Sequence, residues 1–270
     1  PALPLYDEDD ANETLERLNP VPNDGKPIEI CEGFKASFNV AGHILGASLV
    51  LIEMENAREN NESIKFLFSG DLGHYDQPIL KDPAPPPACD YLMVESTYGD
   101  RLHSEVHSDE QLTKIIHEGL KRNALILIPA FSVGRTQEIL YLIRELEEDG
   151  KIPVLPVVVD SPMAKKATQV YSRWREEHDE EYASILARQK HPLRTASMTT
   201  TSSREDSIKL NKLNDARIII SASGMLSGGR VLHHAKRILP NKDATIIFVG
   251  YQAAGTRGRR IIDGEKEVKI

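Results

Sequence analysis

The sequence predicts an α/β protein in two parts, and three observations indicate this class. Residues 1–99 contain short strand-like apolar runs joined by proline-rich or polar turns. Residues 100–270 repeat four times the order apolar strand, Gly/Ser loop and helix start, which is typical of β–α units on a parallel sheet. The charge also changes: residues 1–99 hold 6 Lys and Arg against 18 Asp and Glu, and the remainder holds 27 against 23. We therefore expect two domains, residues 1–99 and 100–270.

The first part is predicted to be mainly β. An acidic helix is expected at Asp7–Leu18, and the hydrophilic link Glu55–Ser63 predicts a hairpin loop. The apolar runs that predict strands are Ile28–Cys31, Phe34–Val40, Ser48–Met54, Ile64–Phe68 and Tyr91–Val94. The last run is continuously apolar, so we expect that strand to be buried.

The second part is predicted to begin with a helix at Ser108–Lys121, with Ser108 as its N-cap. The four strands that follow are predicted at Ala124–Pro129, Val154–Val159, Arg217–Ile220 and Thr245–Val249. Their helices are predicted at Thr136–Leu146, from Pro162 after the cap Ser161, at Val231–Leu239 and in a short segment ending at Ile262. Loops at the carboxyl ends of parallel strands gather at one edge, so we expect the four loops to lie together.

Composition limits the class of protein. With 270 residues, 40% of them apolar, the chain is long enough for a large core, and no apolar run approaches the roughly 20 residues that cross a bilayer. No secretory leader is recognised, and the two cysteines, Cys31 and Cys89, lack metal or disulfide spacing. We therefore expect a cytoplasmic protein with no membrane partner and with both cysteines in the core.

Cations lie at the helix starts of all four loops. They are Arg135, Lys165, Lys166, Arg230 and Arg257. A helix N-terminus already carries partial positive charge, so a cation there is mildly unfavourable unless an anion is bound. A phosphate would satisfy the cation and the unpaired N–H groups together, with hydroxyls available from Ser132, Ser161, Ser221 and Ser223. The alternative is that each is a solvated surface residue or a cap. The basic excess of this half favours a polyanion partner.

Two glycine-rich strand ends each offer a metal ligand. His43 lies in AGHILGA and Asp71 in FSGDLG, and glycine permits the close backbone approach that such loops need. Nitrogen and oxygen donors together suit zinc. The alternative is a loop histidine and a capping aspartate. Glu95 ends an apolar strand, where it would orient a catalytic histidine or form an ion pair with Arg101.

Together these segments resemble the β-CASP branch of the metallo-β-lactamase-fold nucleases. AGHILGA is similar to the third metal motif, FSGDLG to the fourth and ESTYGDR to motif A. The segments similar to the β-CASP insert are IPAFSVGRTQE, DSPMA, SGMLSGGRVLHH and FVGYQAAGT. The resemblance implies a partial metallo-β-lactamase αββα domain over residues 1–99 and a β-CASP domain, with a mainly parallel sheet flanked by helices, over residues 100–270.

The resemblance also implies site residues. His43 would be a zinc ligand, Asp71 would bridge two zincs, and Glu95 would orient a histidine acting as general acid. Contacts to RNA or its phosphates are implied for Tyr98, Ser132, Arg135, Ser161, Ser221, Ser223, Gly224 and Arg230. The GRTQE loop and the glutamate in motif A are similar to the RNA-directed members.

The HxHxDH motif and the downstream histidine motifs of the family are missing from the sequence. The chain therefore resembles the central part of a longer zinc-dependent ribonuclease. That ribonuclease would carry two zincs and act in RNA processing or decay, and this chain would lack part of its active site. The alternatives are a non-catalytic RNA-binding or scaffold protein, a DNA nuclease of the same fold, and a hydrolase of small molecules. Besides RNA, the partners considered are a second copy of the chain and the missing parts of the parent chain.

Overall fold

Two five-stranded β-sheets form the frame of the described part of the chain. The computed structural model describes residues 4–58, 62–100, 102, 107–188, 191–213 and 215–270. The chain divides into two compact units. Unit 1 comprises residues 1–41, 46–71 and 84–95, and unit 2 comprises residues 42–45, 72–83 and 96–270.

Unit 1 is built on an antiparallel meander. Its elements are α1 (Glu8–Glu16), β1 (Ile28–Cys31), β2 (Phe34–Val40), β3 (Ser48–Met54), β4 (Ile64–Phe68) and β5 (Tyr91–Met93). The strands follow chain order, β1 to β4 pair antiparallel, and β5 pairs parallel to β4. The predicted bounds of β1 to β4 are confirmed, because apolar runs ended by glycine or polar turns fix both ends of a strand.

The prediction of burial is wrong for the run Tyr91–Val94 and for both cysteines of unit 1. Tyr91, Leu92, Met93 and Val94 are all exposed, although a continuous apolar run is typical of a strand covered on both faces. β5 is an edge strand of its sheet, so it has a neighbouring strand on one side only. The Tyr91 ring stacks on the Phe66 ring of β4, with centroids 4.7 Å apart. Cys31 is exposed and Cys89 half-buried, because Cys31 ends the opposite edge strand.

Unit 2 carries an all-parallel sheet with helices between its strands. Its elements are α2 (Ser108–Lys121), β6 (Leu125–Pro129), α3 (Arg135–Glu148), β7 (Val157–Asp160), α4 (Pro162–Arg173), α5 (Glu180–Ala187), β8 (Met198–Thr200), α6 (Arg204–Leu210), β9 (Arg217–Ser221), α7 (Val231–Ile238), β10 (Thr245–Ile246) and α8 (Arg257–Ile262). The strand order is β10-β6-β9-β7-β8, and each neighbouring pair is parallel. The predicted parallel sheet is confirmed.

Helices cover both faces of this sheet, and the side chains of its strands alternate between two cores. Ile126 and Ile128 of β6 pack in a cluster with α2 and α3, whereas Leu125 and Leu127 pack with residues of α7. Because both faces are covered, β6 and β9 are buried along their whole length. Each fully buried Leu or Ile stabilises the fold by about 1.5–3 kcal/mol, so this sheet is a stable platform for the loops at its edge.

Several helix ends differ from the prediction. The N-cap of α2 is His107 and not Ser108, and it makes no side-chain cap bond. The sequence predicts acidic helical residues over Val170–Arg188. The structure interrupts this stretch, because α4 ends at Arg173 and α5 begins after Asp179, whose carboxylate caps it. The Ser-rich segment before β9 contains an unpredicted helix, α6, which Ser203 caps.

Within the described residues, no helix has the length and apolar character of a membrane span.

Candidate functional site

A buried carboxylate organises the carboxyl edge of the parallel sheet. Asp160 ends β7 and is 0% exposed. Its carboxylate accepts hydrogen bonds from the hydroxyls of Thr201 and Ser207, the latter at 2.6 Å, from Arg230 Nη1 at 2.9 Å and from His234 Nε2 at 2.6 Å. A buried charge is costly unless it is paired and hydrogen-bonded. Four partners meet that requirement here.

The pKa of Asp160 reflects two opposing effects. Burial raises it, but the hydrogen bonds from His234, Ser207, Thr201 and Arg230 lower it by more, so the pKa lies well below its usual range. The carboxylate is therefore ionised at neutral pH. Asp160 supplies a fixed negative charge beneath the loops, and the surrounding donors are oriented toward it.

The network around Asp160 joins segments that are distant in sequence. The Ser221 hydroxyl, at the end of β9, donates to the Asp160 carbonyl at 3.0 Å. His234 of α7 lies between Asp160 and Asn211, with Nδ1 3.1 Å from Asn211 Oδ1. The ends of β7 and β9, the segment around α6, and the start of α7 are therefore fastened together. The loops after β7 and β9 meet, as the sequence predicted.

Two of the predicted serines form a second buried contact. The hydroxyls of Ser132 and Ser161 lie 3.0 Å apart, and Ser161 Oγ accepts from Ala164 N at 3.1 Å as the N-cap of α4. The predicted cap and Pro162 at the first helical position are confirmed. Gln137 Nε2 donates to the Ser132 carbonyl and to Thr168 Oγ1, so α3 and α4 hold this pair of hydroxyls in place.

Ser223 and Gly224 shape the turn after β9. Ser223 Oγ accepts hydrogen bonds from Ser227 N at 2.9 Å and Gly228 N at 3.2 Å. Gly224 lies against the backbone of Phe131, where an added Cβ would come within 3.2 Å of the Phe131 nitrogen. Both residues therefore fix the backbone of the loop that leads to Arg230.

Two of the five cations at the helix starts already have a protein carboxylate as their anion. Arg230 pairs with Asp160, and Arg135 pairs with Glu138 at 2.5 Å. Arg257 donates to the carbonyls of Leu226, Ser227 and Lys269. Lys165 instead donates to a neutral hydroxyl, Ser202 Oγ, at 2.9 Å, and its neighbour Lys166 is exposed. Lys165 and Lys166, the fourth and fifth residues of α4, therefore leave positive charge available to a bound anion near the start of that helix.

The three residues assigned to metal chemistry fall in different units. His43 lies in unit 2, whereas Asp71 and Glu95 lie in unit 1. The Glu95 backbone N–H donates to Ser69 Oγ at 3.0 Å, and Ser69 N donates to the Met93 carbonyl, so Ser69 joins the ends of β4 and β5. Among the described residues, no three His, Cys, Asp or Glu side chains are grouped so that they could hold a metal ion. The residues present do not by themselves fit a metal centre, and the ligand roles stay predictions.

The glycines beside His43 do permit a close approach of backbones. Gly42 has φ +68° and an added Cβ would lie 2.9 Å from the Lys81 carbonyl oxygen. A Cβ on Gly73 would lie 2.1 Å from the Gly42 carbonyl oxygen, so only a residue without a side chain fits at position 73.

Two further residues named from the sequence lie elsewhere. The Tyr98 ring makes an edge contact with the Tyr251 ring, with centroids 5.7 Å apart. Arg101, the alternative partner considered for Glu95, lies outside the described residues.

Sequence reasoning missed Asp160 and His234 as the centre of the network. Both lie in segments quoted for the resemblance, Asp160 in DSPMA and His234 in SGMLSGGRVLHH, without a role of their own. A signal was present, because a carboxylate that directly follows three buried valines must find partners. The identity of those partners depends on residues 41 to 74 positions away, which no local pattern reveals.

Comparison with known proteins agrees with this architecture. Residues 136–261 match the family described as Beta-Casp domain. The chain is 32% identical to Ribonuclease TTHA0252 of Thermus thermophilus, over 99% of this chain and 60% of that protein. It is 30% identical to an RNase J-like protein of Methanocaldococcus jannaschii, over 98% of this chain and 60% of the relative. It is also 32% identical to the transcription termination factor FttA of a Lokiarchaeum species, over 90% of this chain and 38% of the factor.

The chain thus spans 60% or less of the length of these relatives. The matched region contains α3 to α8 and the strands between them, including Asp160, Arg230 and His234. Residues 136–261 thus form a Beta-Casp domain, and the chain as a whole is similar to proteins named ribonuclease, RNase J-like protein and transcription termination factor.

Proposed function

We propose that the protein to which this chain belongs hydrolyses RNA phosphodiester bonds in RNA processing or decay, and that unit 2 grips the RNA backbone. The observation that carries the proposal is the gathering of hydroxyls and lysines at the start of α4, on the carboxyl edge of the parallel sheet. Ligands of open parallel sheets bind at that edge. The names of the relatives, ribonuclease and termination factor, agree with an RNA substrate.

The start of α4 suits a backbone phosphate for three reasons. The first is the partial positive charge at the N-terminus of this 12-residue helix, which favours an anion. Pro162 has no N–H and Ala164 N already donates to Ser161 Oγ, so this contribution comes from the helix dipole and not from a set of free N–H groups. The hydroxyls of Ser132 and Ser161 lie beside it. Lys165 donates to the neutral Ser202 hydroxyl and Lys166 is exposed, so both supply positive charge to a bound phosphate. This surface would be held in place by Arg230, Ser221 and the turn around Ser223. Further contacts to the RNA are proposed for Tyr98 and Arg135.

The metal chemistry is a proposal for the longer parent protein. Zinc, with two ions, would activate a water for attack on phosphorus. His43 and Asp71 would supply two of its ligands, with the others contributed from beyond the described residues. Glu95 would orient a histidine of the parent protein. A cytoplasmic location and a homodimer are also retained as predictions.

A non-catalytic RNA-binding or scaffold protein is the second candidate. It is favoured by one observation, that the described residues bring no three metal-ligating side chains together. Both candidates require RNA binding by unit 2. They differ in whether the parent protein cuts RNA after loading with zinc.

Salt-dependent RNA binding tests the shared claim. Affinity for single-stranded RNA, measured by fluorescence anisotropy across a salt series, should fall with salt in proportion to the phosphates neutralised, with a slope of about 0.7 per contact in log units. The double variant K165A/K166A should lower that slope by about 1.4.

The matched control is K114A/K121A. It removes two exposed lysines of α2, a helix that leads into the amino end of β6 and not the carboxyl edge. An equal loss of slope in both variants would contradict the assigned site, and the absence of RNA binding would contradict both candidate functions. A competing DNA oligomer distinguishes the DNA nuclease, since DNA would then displace the RNA.

A further inference from the structure

Four residues leave unit 1 and join unit 2. The chain belongs to unit 1 up to Ala41 and again from Gly46, but Gly42–Leu45 cluster with unit 2. This short segment, which we call the His43 loop, carries one of the predicted site residues. The contacts that hold it in unit 2 come from α3 and α4.

Tyr171 makes the polar contact. The Leu45 backbone N–H donates to the Tyr171 hydroxyl at 3.2 Å, across 126 residues of sequence. Tyr171 is 2% exposed, and burial raises the pKa of its hydroxyl, so the group stays neutral near pH 7. The Leu45 side chain packs against the same buried cluster, which includes Tyr141, Tyr171 and Tyr182.

Ile44 makes the apolar contact. Gly134, the residue before α3, has φ +80°, and an added Cβ there would lie 2.8 Å from Ile44 Cγ2. The Ile44 side chain therefore occupies space that a glycine leaves open. Ile44 therefore contacts the start of α3, and Leu45 contacts α4.

The segment beneath the His43 loop is also fastened to unit 2. Lys81 N donates to the Glu177 carbonyl at 2.9 Å and Asp179 N to the Ile79 carbonyl at 3.1 Å. Leu80 forms an isolated antiparallel bridge with His178. Because Gly42 lies against Lys81, this backbone pairing supports the loop from its other side.

We propose that Tyr171 is a positioning residue that couples the His43 loop to the phosphate-binding start of α4. Ser161 caps one end of that helix and Tyr171 lies in its last turn, ten positions or about 15 Å apart along the axis. A helix moves as a unit over this distance, so a phosphate that fixes its first turn also restrains the hydroxyl that holds Leu45. RNA bound by unit 2 thereby orders the backbone next to His43. This inference deepens the proposed function and depends on it for the RNA step.

Amide hydrogen exchange at Leu45 tests the anchor without RNA. Tyr171→Phe removes the acceptor and keeps the ring, and the Leu45 amide should exchange at least about fivefold faster, the factor that corresponds to one ordinary hydrogen bond. Tyr182→Phe removes another buried hydroxyl of the same cluster and should leave Leu45 exchange unchanged. Unchanged exchange in Tyr171→Phe, or equal acceleration in both variants, would overturn the anchor.

The coupling is tested by adding a single-stranded oligouridylate. In the wild type it should slow Leu45 exchange, and in Tyr171→Phe it should bind with the same affinity but no longer slow that amide. If Tyr171→Phe instead loosened the packing of the whole helix, RNA affinity would fall and amide protection would fall throughout α4. That result would contradict a specific positioning role of the Tyr171 hydroxyl. If RNA binds the wild type without slowing Leu45 exchange, the coupling is refuted while the proposed function stands. If no RNA binds, the proposed function fails and the coupling fails with it, whereas the anchor is judged on the exchange data without RNA.

Discussion

Replacing Asp160 by asparagine tests the idea that one buried charge holds the loops of unit 2 together. The substitution keeps the shape of the side chain but removes its charge. It also puts an N–H₂ group where Ser207 and His234, or Thr201 and Arg230, now donate. At least one donor then faces another donor. Removing one partner of a buried ion pair costs about 3–5 kcal/mol.

The expected loss lies at the lower end of that range. The Arg230 side chain is 23% exposed, so water compensates part of its uncovered charge. We expect a loss of about 3 kcal/mol, a large part of the total stability of a typical domain. With a urea m-value of about 3 kcal/mol/M, the unfolding midpoint should fall by about 1 M.

Trp174 reports this change. It is the single tryptophan of the chain and follows α4 in unit 2, so its fluorescence follows urea unfolding of the unit that contains Asp160. The control is Asp263→Asn, which breaks a pair with Arg259 in which both side chains are exposed and should cost less than about 1 kcal/mol. If both variants shift the midpoint equally, Asp160 is not the organising charge.

Two further perturbations follow from the same structure. The stability contributed by Asp160 is present above its unfolded-state pKa of about 3.9 and is lost as pH falls through its lower folded-state pKa. The urea midpoints of wild type and Asp160→Asn should therefore converge as the pH is lowered below about 4. A constant difference between the two midpoints would contradict the pKa assignment. Gly73→Ala should destabilise the chain by about 2 kcal/mol or more, because the new Cβ would lie 2.1 Å from the Gly42 carbonyl oxygen. Gly33→Ala, with open space around its Cβ and φ +75°, should cost only the left-handed backbone strain of about 1 kcal/mol, and equal unfolding midpoints for the two variants would refute the close approach.

Periodicity and turn residues were enough to place the strands. Phe34–Val40 and Ser48–Met54 were predicted with the bounds that the structure shows, because each run is closed by glycine or polar residues. Burial of Tyr91–Val94 could not be predicted in the same way. An apolar run reports what a strand can bury, whereas its actual exposure depends on which elements cover it.

The candidate site was predicted by residue type but not by pairing. The Arg135–Glu138 pair spans three positions of one helix and could have been read from the sequence. The Arg230–Asp160 pair joins residues 70 apart, so only the fold reveals that Arg230 already has a protein anion. Asp160 and His234 stood in segments that were noted for other reasons, and their role emerges only when β7 and α7 meet.

The path of the chain between the two units affects how the protein can be divided. The backbone passes from one unit to the other five times, at 41/42, 45/46, 71/72, 83/84 and 95/96. A fragment beginning at residue 100 would lack Ile79 and Leu80, which are buried among the tyrosines of unit 2, at a cost of about 1.5–3 kcal/mol for each missing side chain. Gene fusion or truncation at a single position therefore cannot transplant the parallel-sheet unit intact. The two units are interwoven in sequence, and a transferable module would need the short excursions as well as the long C-terminal stretch.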